Sequence, residues 1–167
     1  NYNMIIISFQ PGKSANNLGL ATLDPNNQII NLVLRDNFNI DLSTIYYTSL
    51  LKCYSDLDYS DDTIKDQINC CIKYLQNEIE HTKAKSIIIV GQCTFDYLSK
   101  YLHKNLLFNK PVFTIPDFED AEYTPEKLQT LVTGLSLAIN TSVSKSSSNL
   151  TLYHICNTIE DVTLLCD

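Results

Sequence analysis

The stretch Ser8-Phe9-Gln10-Pro11-Gly12-Lys13 closes an apolar run that begins at Met4. A Pro-Gly loop at such a place can turn backbone N–H groups and the Lys13 ammonium toward a phosphate. It holds no carboxylate, histidine or cysteine, so it lacks a group for acid–base or nucleophilic work. The plainer role is a tight strand-to-loop turn that serves the fold alone. Free cysteine is commonly a buried small hydrophobe, the plain reading of Cys53 and Cys71, and Cys70 and Cys93 are expected to pack. Asp117, Glu119, Asp120 and Glu122 crowd four carboxylates into six residues, which suits a basic partner or simply a solvated face. His81 falls near the end of a helical pattern, where an imidazole complements the helix dipole. His103 and His154 match no motif.

The elements that must position these residues follow from periodicity. Apolar, β-branched runs at residues 4–8, 44–51, 86–90 and 111–115 suit strands buried on both faces. Between them, Ile64, Ile68, Cys71, Ile72, Leu75 and Ile79 repeat at helical spacing after Ser60, a candidate N-cap. Pro25 and Pro125 open two further helical patterns, and a shorter one runs from Cys93 to Leu102. Alternating strands and helices predict an α/β fold, a three-layer α/β/α domain with a mostly parallel sheet of about four strands. Ligands of such sheets bind beyond the carboxyl ends of the strands. The loops SFQPGK, SLLKC, VGQCT and TIPDFED all fall there.

With 167 residues, 44% of them hydrophobic, the chain can bury one proper core. Residues 1–140 are expected to form the domain, the serine-rich stretch 141–149 a link, and residues 150–167 an appendix that begins like a strand. A net charge of −7, with Arg35 the single arginine, argues against a nucleic-acid binder, since no basic stripe is present. The six cysteines form no C-x-x-C pair, and a chain of this size needs no disulfides, so a reducing, cytoplasmic setting is expected. No run has the length of a membrane span, and no membrane partner is expected.

The four loops, in this order, make the chain resemble uracil-DNA glycosylases of the iron–sulfur (family 4) branch. Ser8-Phe9-Gln10-Pro11-Gly12 stands where that family has Gly-Glu-x-Pro-Gly, and the register continues without a gap through Gly19 to Asp24. The segment YYTSLLKC resembles the family's Tyr-x-Thr-Asn-Val-Val-Lys-Cys, and VFTIPDFED takes the place of its Thr-x-His-Pro-Ser loop. The resemblance spans roughly residues 4 to 138. It implies a site at Gln10, Pro11, Gly12, Thr22, Ser49 and Pro116.

What the resemblance implies about chemistry lies in its departures. The family's catalytic glutamate falls on Phe9, and the aspartate of a sister branch falls on Gln10. The third motif's histidine falls on Ile115, the base-stacking phenylalanine on Thr22, and the base-reading asparagine on Ser49. Base flipping needs stacking and edge recognition to offset unstacking, so excision is expected to be lost and a non-catalytic binding role to remain. A divergent active glycosylase, with Asp24 as a replacement carboxylate, is the first alternative. An acidic protein-docking or DNA-mimicking module is the second. Asp117, Glu119, Asp120 and Glu122 would repel phosphates, so weak or no DNA binding and a possible protein partner are expected. Cys53 and Cys71 match two of the family's four cluster thiolates. No cofactor is therefore expected in this chain, and a [4Fe–4S] cluster would need a C-x-x-C upstream of Asn1.

Overall fold

Isoleucine-rich strands carry the centre of the molecule. The computed structural model describes residues 2–12, 25–58, 60–104, 106–117 and 125–142. Four strands, β1 (Met4–Ser8), β2 (Ile45–Ser49), β3 (Ser86–Val90) and β6 (Lys110–Ile115), lie parallel in the order β2-β1-β3-β6. Their side chains alternate across the sheet. Met4, Ile6, Ile88 and Val90 enter one core and Ile5, Ile7, Ile87 and Ile89 the other, each at most 2% exposed. Burying each such side chain contributes on the order of 1.5–3 kcal/mol, which explains why strands of five residues suffice.

Helices complete the layers. On the Met4–Ile6 face lie α1 (Pro25–Leu32), prolonged by a π turn over Val33–Asn37, and α4 (Pro125–Ser142). The Ile5–Ile7 face receives α2 (Asp62–Thr82) and α3 (Gln92–Leu98). The three layers and the parallel strands agree with the expected α/β architecture.

The sheet has six strands rather than four. Two short strands, β4 (Leu102–His103) and β5 (Leu106–Leu107), add antiparallel pairs beyond β6. Two-residue strands carry no alternation that a sequence pattern can register. What makes them is the turn at Phe108 and Asn109, whose φ values of +46° and +68° close a two-residue hairpin between Leu107 and Lys110.

The N-cap of α2 is Asp61, one residue past Ser60. The Asp61 carboxylate accepts the Thr63 N–H at 2.8 Å, while the Ser60 hydroxyl is already committed to Asp58 at 2.7 Å. Gly134, inside α4, allows that helix to sit close on β6. A Cβ there would lie 2.7 Å from Ile115 Cγ2 and 2.8 Å from the Thr114 carbonyl oxygen.

Candidate functional site

Four parallel strands place their carboxyl ends on one rim, where an open α/β sheet binds its ligands. Ser8 pairs with Ser49 and Val90 with Ile115. Past β1 and β2 the two chains stay together, with Leu50 N–H donating to the Ser8 carbonyl and Leu51 N–H to that of Phe9, both at 2.8 Å. Gly91, at φ +88°, donates its N–H to the Ile115 carbonyl at 2.9 Å and starts α3. A Cβ on Gly91 would come within 3.2 Å of Asp117 Cβ.

The residues expected at this rim occupy it differently. Phe9 is 5% exposed and packs its ring 5.8 Å from that of Tyr97, so the first motif position belongs to the core. Gln10 is half-buried and spends its amide on the backbone of Ser55, donating from Nε2 to the carbonyl and accepting the N–H at Oε1, each at 3.1 Å. The Ser49 hydroxyl is buried and donates to the Leu51 carbonyl of its own loop. Pro11 and Gly12 are half-buried beside them. Ile115 is 3% exposed, wedged against Gly134. Thr22, Lys13, Asp24, Glu119, Asp120, Glu122 and His154 lie outside the described residues.

A cleft of about 590 Å³ opens between β3 and β6, lined by Gly91, Phe95, Ile115, Pro116, Asp117 and Lys127 among others. It unites the third-motif residues with the loop after β3. Ser49 stands on the far side of the parallel block, three strand spacings or roughly 14 Å from β6. The rim thus holds two separate polar ends rather than one convergent pocket among the described residues.

The rim is negative. Burial pushes the Cys93 thiol pKa up, and the carboxylates of Asp96, Asp117 and Asp58 push it further the same way. These three come from three different segments. Asp58 is itself held below the usual carboxylate range by the Ser60 N–H and hydroxyl, so its charge persists to lower pH.

One polar cluster escaped sequence reasoning. Glu78 on α2 accepts from the Tyr46 and Thr48 hydroxyls, each at 2.8 Å, and pairs with the Lys52 ammonium, which also donates to Thr48 Oγ1 at 2.8 Å. Desolvation, then the Glu78 hydrogen bond and charge, push the Tyr46 phenol up to about 12. The available signal was the alternation of Tyr46 and Thr48 on one face of β2. It says nothing of the partner 30 residues away.

Of the four described cysteines, Cys93 packs against a core as expected, whereas Cys53 and Cys70 do not. Cys53 and Cys70 are exposed, and Cys71 and Cys93 are partly buried. Cys70 falls off the stripe of Ile64, Ile68, Leu75 and Ile79 that α2 buries, which leaves its thiol at the surface. Among the described residues no group of three or more His, Cys, Asp or Glu side chains could hold a metal. Two thiols such as Cys53 and Cys71 would be half of the four thiolates a [4Fe–4S] cluster takes and do not fit one by themselves. No helix of the described residues is long and apolar enough to cross a membrane.

No curated protein matches the chain. A family model described as the uracil DNA glycosylase superfamily matches residues 1–154, most of its length. With the order of the rim loops and the parallel α/β sheet, that match makes the chain a member of the uracil DNA glycosylase superfamily.

Proposed function

We propose that this domain has lost base excision and serves as a binding module whose partner is a protein with a basic surface. The observation that carries the reading is the engagement of Gln10 with Ser55. At the position where a sister branch carries its aspartate, the side chain is an amide with both of its ends already bonded to the backbone. Phe9 and Ile115, buried in the cores, offer neither a base nor a donor to stabilise an expelled anion. Within this reading the chain descends from the iron–sulfur branch and keeps two of that branch's thiolate positions, Cys53 and Cys71.

The negative rim favours protein over DNA. Asp117 lines the cleft and acts together with Asp96 and Asp58 on Cys93, and like charges on this side of the rim oppose approach to a duplex. A basic protein surface gains from the same field. The test is excision of uracil from single- and double-stranded DNA, read as abasic sites. The expected result is none above background. Abasic sites that vanish when a rim residue such as Asp117 is changed to Asn would overturn the proposal.

A further inference from the structure

Resting on the reading of a basic protein partner, we infer that this partner docks in a trough beside β6, through a short peptide segment. Its apolar side chains enter the trough and its lysines or arginines meet Glu126 and Asp117. Two cavities join to make the site. The cleft of about 590 Å³ at the carboxyl end of β6 and a groove of about 670 Å³ behind it share Phe95, Thr114 and Thr130. Together they follow β6 from Val112 to Pro116, roughly 13 Å of extended chain. That length suits several consecutive residues of a peptide.

The trough combines an apolar lining with net negative charge. Phe95 of α3, Leu102 of β4, Val112 of β6 and Leu137 of α4 converge on it. Leu137 is 51% exposed, although its neighbours on the outward face of α4, Glu126, Thr130 and Thr133, are polar. An apolar patch within a polar rim marks an interaction surface. Of the charged residues that line the trough, Glu126 and Asp117 are acidic and Lys127 is basic. Asp96 adds to the negative side, because its carboxylate accepts from the amide of Gln92, a cleft residue, at 2.8 Å. The field favours a cationic segment and opposes the phosphates of a nucleic acid. A second copy of this face would set the same carboxylates against each other. The walls select further: with α3 on one side and α4 on the other, a single peptide segment enters where a folded sheet with its own helices does not.

Fluorescence anisotropy on the full chain tests this with labelled peptides of alternating leucine and lysine, leucine and glutamate, and serine and lysine. The leucine–lysine peptide should bind about tenfold or more tighter than either of the others. Leu137→Gln should weaken it by about tenfold, and Leu137→Met should not. Glu126→Lys should weaken it as well and should raise the affinity of the leucine–glutamate peptide. Both side chains are exposed, so urea midpoints close to wild type are expected and show that the fold is intact. Leucine–lysine binding that ignores both Leu137→Gln and Glu126→Lys overturns the trough and leaves the basic-partner reading standing. The absence of binding by all three peptides overturns this docking mode alone. Equal binding of the leucine–lysine and leucine–glutamate peptides removes the basic partner together with the trough.

Discussion

Gln10 and Ser55 hold each other through two hydrogen bonds of 3.1 Å, one in each direction, 45 residues apart in the chain. The pair fastens the loop after β2 to the loop after β1. It also commits both ends of the Gln10 amide to the backbone, away from any substrate. The rim at this point is a structural joint.

Gln10→Ala should therefore destabilise the fold by about 1–3 kcal/mol, two neutral hydrogen bonds at about 0.5–1.5 kcal/mol each. Gln10→Glu separates this role from a vestigial catalytic one. A carboxylate still accepts the Ser55 N–H but faces the Ser55 carbonyl without a proton, so its folded pKa is raised above the unfolded value of about 4.3. The stabilising, protonated form is fully present below that value, and its contribution is lost as pH rises through the folded pKa. Urea midpoints should show Gln10→Glu close to wild type near pH 4 and weaker at pH 7, with no uracil excised at either.

Gly134→Ala gives a prediction whose sign is informative. Helix propensity alone would reward the change by about 1 kcal/mol. The new methyl, however, meets Ile115 Cγ2 at 2.7 Å and the backbone oxygen of Thr114 at 2.8 Å. Strand backbone cannot yield as a flexible side chain does, so a net loss of about 1–3 kcal/mol is expected in denaturant unfolding. A stabilised Gly134→Ala protein would mean that α4 does not sit against β6 in this way.

Much of this arrangement was legible in the sequence, and the rest was hidden for physical reasons. The isoleucine runs announced the parallel strands because burial on both faces demands them, and the helical stripe of Ile64, Ile68, Leu75 and Ile79 announced α2. β4 and β5 were invisible because two-residue strands carry no alternation and the left-handed turn that creates them needs φ > 0 at Phe108, a residue type that rarely adopts it, as well as at Asn109. At the site, the residue types Phe9, Gln10 and Ile115 were readable. The new partner of Gln10 was not, because a hydrogen bond to the backbone of Ser55 leaves no mark on side-chain identity.

Tyr46 should give the cluster beneath β2 a pH signature. Its phenol is raised from 10.0 to about 12, by desolvation first and the Glu78 hydrogen bond and charge next. A raised folded pKa contributes stability that is complete below pH 10 and lost as pH climbs toward 12. Tyr46 is half-exposed, and with solvent screening the effect is on the order of 1 kcal/mol. Across that window the wild type should lose about that much more stability than Tyr46→Phe. Parallel curves for the two proteins would show that the phenol is not coupled to folding.

The negative rim sets the last prediction, which decides what faces the old DNA side. Asp58, Asp96 and Asp117 act together on Cys93, so their fields overlap at one place. Replacing all three with Asn removes three units of repulsion from any phosphate brought to the rim near Cys93. At low ionic strength, where the Debye length is about 30 Å at 0.01 M, each is worth several tenths of a kcal/mol at partly solvated distances. Nonspecific duplex affinity should then rise on the order of tenfold, and the gain should fade toward physiological salt as screening shortens to about 8 Å. The same substitutions should speed alkylation of Cys93 near pH 8, because its thiol pKa falls when the neighbouring carboxylates are neutralised. Fluorescence anisotropy on labelled duplex across a salt series, read beside thiol labelling of the same proteins, gives both quantities. Faster Cys93 labelling without a gain in DNA affinity would place the acidic residues around the thiol but away from any surface that a duplex can reach. Tight, salt-sensitive binding by the wild type would instead return this rim to DNA and remove the case for a basic protein partner.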